Sequence, residues 1–279
     1  MKKTFSYSWI LISLMISFYT ASAQTDSSKN VQFKLGAFYN THLNYYGRTD
    51  SLRSSGFFPL AEVWFNKNFY MNIAPVFVNN ASASFEYAGT IATAGYQFVS
   101  GDKKWFGNFF AVKPFYKNNS QLVQSALKEQ TGFSLTSLNK TVNITGGADI
   151  KLSDKIDFGF TGGLDHIFRK QFRDNSIVVI DPSVNLFAGM QQFTNSYYKK
   201  SSFLLLPPVE QTLSEEVKNF NILSFEFSMA VIFRIEKFQF LFTPAYVIPE
   251  NLITVQDRPD LSETGKKMCY ATIGAKMIL

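Results

Sequence analysis

The stretch VNITGGADIKLSDKIDFGFTGGL, residues 142–164, decides the fold because nearly every second residue in it is apolar or glycine. Successive side chains of a β-strand point to opposite faces of the sheet. Ile144 and Ile150 therefore lie on one face, and Asp149 and Lys151 lie on the other. The stretch predicts a hairpin with an apolar face and a charged face, and the apolar face must contact either a protein core or lipid.

Alternating segments of this kind recur along the chain, joined by connections of two lengths. The short polar turns are residues 66–68, 101–103, 153–155 and 236–237. The long polar segments are residues 47–56, 117–138, 199–219 and 250–265. Short turns at one end and long loops at the other are typical of bacterial outer-membrane barrels. We therefore expect all the short turns, 153–155 included, at one end of a barrel.

The number of strands follows from the requirement that all the short turns lie at the same end of the barrel. Counting alternating segments, with the first at 31–46, gives roughly eleven strands, whereas single-chain bacterial barrels have an even number. We place the missing strand by dividing the region after His166 at Asp181-Pro182-Ser183, which predicts strands at 172–180 and 184–198. The fold class predicted is all-β, a single closed antiparallel transmembrane β-barrel of about 12 strands, with 10 or 14 as alternatives.

Three predicted strands carry a proline at mid-length, at Pro75, Pro114 and Pro244. Proline cannot donate a hydrogen bond to the neighbouring strand and is normally confined to edges or bulges. Because a closed barrel has no edges, we expect bulges or bends at these three positions.

The N-terminus has the features of an export signal. Lys2 and Lys3 are followed by an apolar run over residues 9–19 and by the small residues Ala21 and Ala23. We predict a signal peptide at 1–23, cleaved after Ala23, a polar linker at 24–30 and a barrel at 31–279. Cleavage would remove two lysines and lower the formal net charge from +6 to +4.

Composition limits the other possibilities. The chain has 46% hydrophobic residues, 30 Phe and 13 Tyr, with a mean hydropathy of -0.03. After the signal region no apolar run is long enough for a membrane helix, so only a closed barrel would satisfy the backbone in hydrocarbon. Cys269 is the only cysteine, which excludes an intramolecular disulfide and a cysteine metal cluster. The positive charge is too small and too dispersed to predict nucleic-acid binding.

Residues 31–279 resemble the outer-membrane β-barrel proteins of Bacteroidota-type Gram-negative bacteria. The resemblance depends on the alternating hairpins, the Thr-Pro-Ala-Tyr-Val-Ile-Pro run at 243–249 and the final strand at 271–279. It implies residence in the bacterial cell outer membrane, contact with outer-membrane lipid, and recognition of the C-terminal strand by the barrel-assembly machinery. In that family the last residue is usually aromatic, whereas this chain ends in Leu279. The resemblance implies an architecture and no particular activity.

The polar column predicted to face inward carries both signs of charge. We interpret it either as a structural network that braces a partly plugged barrel or as a narrow passive pore for small polar solutes. The candidate lumen-lining residues are Lys34, His42, Glu62, Lys113, Asp149, Lys151, Asp157, Glu226, Arg234 and Lys276.

Neither histidine has the neighbours that catalysis needs. A His-x-Ser pattern would require serine where Asn44 follows His42, and His166 points to the opposite face from the adjacent Asp165. We therefore expect no enzyme activity, no cofactor and no metal, and treat an outer-membrane hydrolase as the least favoured alternative.

The long loops offer another alternative, a surface-interaction barrel that binds a partner through them. Residues 120–130 and 207–218 have the pattern of short helices, the second containing the capping sequence Thr212-Leu213-Ser214-Glu215. Such helices would fold over or into the mouth of the barrel. The oligomeric state and the solute are not predicted.

Overall fold

The structure is a computed structural model that describes residues 31–117, 120, 122–173, 176–192, 220–254 and 262–279. The predicted signal peptide, the linker and the helix at 207–218 lie outside these residues. The described strands are β1 (Val31–Asn40), β2 (Ser55–Phe65), β3 (Phe69–Asn79), β4 (Glu86–Val99), β5 (Trp105–Tyr116), β6 (Glu129–Ser137), β7 (Asn143–Leu152), β8 (Ile156–Asp165), β9 (Phe168–Arg173), β10 (Ser176–Gly189), β11 (Asn221–Ile235), β12 (Phe238–Pro249) and β13 (Met268–Ile278). A single turn of 3-10 helix at Val123–Ala126 precedes β6.

The strands form one closed antiparallel barrel. Each strand from β1 to β8 pairs with the next, β8 pairs with β10, and β10 to β13 continue in order back to β1. The short strand β9 also pairs with β10, beyond the end of β8. Because β8 and β9 lie in series against one partner, the 13 described strand segments build a wall of 12 strands, which confirms the predicted fold class.

The break between β8 and β9 lies opposite a proline. Asp165 pairs with Ser183 and Phe168 with Ile180, and between them the N–H of His166 donates to the carbonyl of Pro182 at 3.2 Å. A proline that offers no N–H fits where its partner strand is interrupted. The predicted turn at 181–183 is therefore wrong, and β10 is one continuous strand.

The strand missing from the count lies elsewhere, in β6. The sequence predicted residues 117–138 as one long loop, but Glu129–Ser137 pairs along β5 on one side and β7 on the other. Its inward column is Gln130, Gly132, Ser134 and Thr136, which are polar or small. An apolar alternation is therefore too weak there to distinguish a strand from a polar loop by sequence.

Adding β6 moves the turn at 153–155 to the other end of the barrel. The N–H of Lys128 donates to the carbonyl of Leu152 at 2.8 Å, and Lys128 Nζ lies 2.9 Å from Asp154 Oδ1. The turn thus lies beside the loop 117–128, at the end where the long connections are. The prediction that it belongs with the short turns is wrong, and the charged residues beside it lie near the long-loop end.

The prolines have unequal effects on pairing. Pairing between β2 and β3 skips the positions around Pro75, and the β3–β4 register shifts just after Val76. Pairing between β11 and β12 likewise skips Pro244. At Pro114 the register between β4 and β5 has no shift. On the other side of β5, the pairing with β6 ends at Val112, before the proline is reached. The predicted irregularity is therefore present at Pro75 and Pro244 and absent at Pro114.

The outer surface of the barrel is apolar around its circumference. Large hydrophobic side chains are exposed on most strands, including Phe33, Ile73, Phe109, Ile144, Phe158, Phe227, Phe240 and Ile273. Rings of Phe98, Phe109 and Phe133 contact one another across β4, β5 and β6, with centroids 6.4 and 4.4 Å apart. No helix in the described residues is long and apolar enough to cross a membrane.

Candidate functional site: the barrel interior

Exposure and register together identify the inward face. Lys151 and Asp157 are 1% and 0% exposed, whereas the adjacent Ile150 and Ile156 are 38% and 54% exposed. Lys151 and Asp157 lie opposite each other in the β7–β8 pair. Since paired residues share a face and faces alternate along a strand, the register assigns the positions of every paired strand to inside or outside.

Three charged side chains lie inside the barrel near the long-loop end, and we call Asp149, Lys151 and Asp157 the inner triad. Lys151 Nζ is 2.5 Å from Asp149 Oδ2, and both side chains are almost fully buried. The same carboxylate oxygen accepts a hydrogen bond from Gln130 Nε2 at 3.2 Å. A buried charge is tolerated when an opposite charge lies beside it, as Asp149 and Lys151 do here.

Gly159 makes room for the inner triad. It lies opposite Asp149 in the β7–β8 pair, on the inward face. A Cβ atom at this position would collide with the carboxylate of Asp149 and the ammonium group of Lys151. The glycine therefore permits a close approach of charged side chains that a larger residue would block.

The segment at 41–54, which we call the entrance loop, folds into the barrel. β1 ends at Asn40 rather than at the predicted residue 46, so Tyr45 and Tyr46 belong to this loop. The Tyr46 ring lies 4.8 Å from the Phe187 ring, and Lys151 Nζ lies 5.5 Å from the Tyr46 ring centroid. Burial raises the pKa of the Tyr46 hydroxyl and raises the pKa of the Tyr45 hydroxyl further. The entrance loop thus covers the inner triad.

Arg48 fixes the entrance loop in place. Its Nε lies 3.1 Å from Glu263 Oε2, and each of the two side chains is 1% exposed. Its Nη1 donates to the carbonyls of Tyr46 and Leu223 at 2.9 and 2.8 Å, and its Nη2 donates to that of Glu250 at 2.9 Å. These bonds connect the entrance loop to β11 and to the loop after β12. We call Arg48 and Glu263 the Arg48 latch.

Apolar contacts complete the closure of this end. Leu43 of the entrance loop and Leu122 of the loop 117–128 are buried in one cluster with Val76 of β3. Val123, in the 3-10 helix, is buried against Tyr45. Two loops thus pack against each other and against the wall, and they narrow the long-loop end of the barrel.

A second charged group, the Glu62 cluster, lies inside the barrel near the short-turn end. Glu62 Oε1 lies 3.3 Å from the Nζ atoms of both Lys34 and Lys276 and accepts a hydrogen bond from Trp64 Nε1 at 2.6 Å. Lys34 Nζ lies 4.2 Å from the Trp64 ring centroid, and the Tyr70 ring stacks on Trp64 with centroids 5.0 Å apart. One carboxylate therefore holds two ammonium groups.

Glu226 and Arg234 lie on the inward face but join neither cluster. Glu226 accepts a hydrogen bond from the hydroxyl of Tyr270 at 2.6 Å. Arg234, near the short-turn end of β11, donates from Nε to the carbonyl of Glu236 at 3.3 Å.

Lys113 lies on the outer face, so its prediction as a lumen residue is wrong. Its side chain is 46% exposed and forms an ion pair with Glu129 at 2.5 Å. Phe115, two residues along the same face, is 56% exposed, while Pro114 between them is buried. The flexible aliphatic stem of a lysine can cover apolar surface while its charge reaches water, which allows it in this column.

The two histidines lie far apart in the fold. His42 follows the end of β1, with Nδ1 3.4 Å from Thr41 Oγ1, and belongs to the rim rather than to the interior clusters. His166 lies in the break between β8 and β9 and contacts the carbonyl of Thr141. Among the described residues no three His, Cys, Asp or Glu side chains are close enough together to hold a metal ion.

The sequence did not predict which residues close the entrance of the barrel. Tyr45 and Tyr46 continue the alternation of β1 and so resemble strand residues. Arg48 and Glu263 lie in polar segments where charge is ordinary, and their burial depends on two loops 215 residues apart meeting each other. A local pattern contains no signal for such a contact.

Comparison with known proteins gives similarities of shape alone. No protein-family model matches the chain, and no curated protein matches it. Among solved structures, the KdgM porin is 6% identical with a TM-score of 0.46, covering 88% of this chain and 98% of the porin. The NanC porin is 8% identical with a TM-score of 0.43 over 88% of this chain and 98% of its own. An outer-membrane channel from Pseudomonas putida F1 is 7% identical with a TM-score of 0.47 over 92% of this chain and 100% of its own.

Proposed function

We propose that the protein is an integral outer-membrane β-barrel that acts as a passive pore for small polar solutes, with a narrowed entrance at the long-loop end. The observation that carries this proposal is the closed wall, apolar outside and charged inside. Exposed apolar surface of this extent is unfavourable in water. It is favourable in hydrocarbon, where a closed barrel also satisfies every backbone hydrogen bond along the wall.

The interior supports a pore for polar solutes rather than for apolar ones. The inner triad and the Glu62 cluster place charges of both signs near the two ends of the barrel. The entrance loop narrows the path at one end, so we expect a small conductance. Release of the Arg48 latch would widen the path.

The test is the conductance of the refolded protein in planar bilayers. We expect small, ohmic single-channel steps from the wild type and larger steps from Arg48→Ala. Absence of steps from both proteins would contradict the pore and support the second candidate, a structural barrel braced by its internal ion pairs. The observation that favours this candidate is the packing of two loops inside the mouth.

Membrane insertion is tested separately from conduction. A folded barrel resists sodium dodecyl sulfate until it is heated, so heated and unheated samples should migrate differently on a gel. Equal migration, together with solubility in the absence of detergent, would contradict the membrane proposal itself.

The proposed partners are outer-membrane lipid around the wall and the barrel-assembly machinery at β13. Ile273 and Leu279 on the outer column of the last strand are 50% and 44% exposed, as a lipid-facing strand requires. We also propose that the protein is related to the Bacteroidota-type barrels and that it has no enzyme activity. His42 and His166 lie apart, which supports the second of these.

A further inference from the structure

The barrel wall has a notch at its long-loop end, above β1. β1 ends at Asn40, which pairs with Thr272, whereas β13 begins earlier at Met268. Beyond Asn40, Thr41 still exchanges two hydrogen bonds with Ala271, of 3.0 and 2.9 Å. The first residues of β13, from Met268 onward, therefore extend past the end of β1 and border a cleft.

The side chains around this gap, which we call the basic notch, carry one sign of charge. A cleft of about 250 Å³ is lined by His42, Arg53, Lys266, Lys267, Met268 and Cys269. These described lining residues include three permanent cations and a histidine, and no carboxylate. Like charges held close together repel one another, so an anion at this place would be stabilised.

The loop backbone holds Arg53 at the notch. Arg53 has a φ of +50°, in the left-handed region that residues other than glycine seldom adopt. The neighbouring carboxylate of Asp50, which is 4% exposed, accepts hydrogen bonds from the N–H groups of Leu52 and Ser54 at 2.9 and 3.2 Å. Both bonds are accepted by Oδ1, and they fix the turn from which Arg53 emerges.

The basic notch opens directly above the apolar outer surface. Cys269 is exposed on the outer column of β13, the column that continues to Ile273, which is 50% exposed. Its partner on β12 is Tyr246, which is 37% exposed on the same outer face. A molecule bound here would place an anionic group among the cations and an apolar portion along the wall.

We propose that the basic notch binds the phosphomonoester headgroup of an anionic lipid in the outer leaflet, and not the zwitterionic phosphodiester of phosphatidylcholine. Phosphate oxygens accept charge-assisted hydrogen bonds from arginine and lysine, and acyl chains match the surface below the notch. The proposal rests on the proposed membrane location of the barrel and does not depend on conduction. The site lies at the rim of the wall, between the end of β1 and the start of β13, and is separate from the interior clusters.

The chain provides its own reporter, because Cys269 is the only cysteine. The full-length protein is reconstituted in phosphatidylcholine vesicles that contain diphosphoryl lipid A, and the alkylation rate of Cys269 by a maleimide is measured. With the lipid at about ten times its dissociation constant, the rate should fall by about tenfold. Dephosphorylated lipid A, or inorganic phosphate added to vesicles of phosphatidylcholine alone, should leave the rate unchanged.

Variants separate the basic notch from general charge effects. Arg53→Gln combined with Lys267→Gln should abolish the protection of Cys269. Lys113→Gln, which removes a cation from another place on the outer face, should retain it. The gel shift on heating verifies that each variant is folded.

Several outcomes would overturn the proposal. Equal protection by dephosphorylated lipid A would show that the phosphomonoester is not recognised, and equal protection by inorganic phosphate would show a free-ion site instead of a lipid site. Unchanged protection of Cys269 in the double variant would show that these two cations do not bind the lipid. Protein that fails to float with the vesicles would contradict the membrane proposal, and the lipid site with it. Normal flotation without protection would contradict the lipid site alone.

Discussion

Arg48 is the residue on which the conformation of the entrance loop most depends. Its guanidinium group bonds the carboxylate of Glu263 and four carbonyls, one within the entrance loop at Tyr46 and three from distant parts of the chain. A lysine has one point charge and could not reproduce the planar, divergent geometry of these bonds.

We expect Arg48→Ala to release the entrance loop. The substitution leaves Glu263 buried without its cation, which destabilises a protein by about 3–5 kcal/mol. Urea unfolding in detergent micelles would show the loss of stability, and limited proteolysis would show cleavage within residues 41–54.

A matched control uses an exposed ion pair at the same end of the barrel. Lys128 and Asp154 lie 2.9 Å apart with side chains 62% and 72% exposed. Lys128→Ala should change stability by about 1 kcal/mol or less because exposed pairs contribute little. If both variants behaved alike, the Arg48 latch would have no special role.

Gly159 leaves little room for a larger residue beside the inner triad. Gly159→Ala would force its methyl group against Asp149 and Lys151, and overpacking of this kind destabilises by about 1–3 kcal/mol. Gly146, on the neighbouring strand β7, has no atom within 4 Å of an added Cβ. Gly146→Ala should therefore leave the urea midpoint nearly unchanged, and an equal loss in the two variants would argue against crowding at the inner triad.

At the scale of elements, the hairpin β7–β8 was predictable and its position in the barrel was not. The alternation at 142–164 is complete because Ile144 and Ile150 face outward while Asp149 and Lys151 face inward. β6 lacks that contrast, since Ser134 and Thr136 face inward opposite a mixed outer column. One undetected strand was enough to move the turn at 153–155 to the opposite end.

Epitope insertion would test this assignment of ends. A tag inserted after Asp154 should be accessible to antibody on intact cells, because that turn lies with the long loops. A tag inserted after Lys67, in the short turn between β2 and β3, should become accessible only after the outer membrane is permeabilised. The reverse pattern would mean that the barrel has the opposite orientation.

The entrance loop also predicts a dependence on alkaline pH. The pKa values of Tyr45 and Tyr46 are raised by burial above the ordinary 10.0 of tyrosine. A group with a raised pKa in the folded state contributes stability that is complete below its unfolded pKa and is lost as pH rises. The loop should therefore loosen above about pH 10.

Single-channel recordings across that pH range would show the effect as larger or more frequent openings. Tyr45→Phe combined with Tyr46→Phe removes both hydroxyls and keeps both rings, so its conductance should not change in this window. An alkaline response that survives in this variant would assign the titration to other groups.

For the molecule as a whole, the closed barrel could be predicted because many weak sequence signals agree on it. Short turns, long loops and alternating strands all favour one architecture, and the closed pairing of 12 strands satisfies them together. The interior was only partly predictable. Parity placed Lys34 and Glu62 on one face, but their meeting with Lys276 depends on β1 pairing with β13 across the closure.

The apolar outer surface gives a prediction for the molecule as a whole. Ile273 faces outward and is 50% exposed, whereas the adjacent Thr272 faces inward. Ile273→Lys should impair insertion, since a lysine on a lipid-facing wall costs about 2–4 kcal/mol near the bilayer midplane. Thr272→Lys should insert normally, as judged by the folded fraction on an unheated gel. Equal insertion would contradict a lipid-facing wall at β13.

The partners of Arg48 also set an order of events during assembly. Arg48 lies near the start of the barrel, while Leu223, Glu250 and Glu263 come from its last strands and loops. The entrance loop can therefore dock only after the C-terminal strands have been made and the seam between β1 and β13 has been brought together. During assembly the entrance loop therefore stays undocked until the last hairpin is in place. A docked loop indicates that the seam between β1 and β13 has closed.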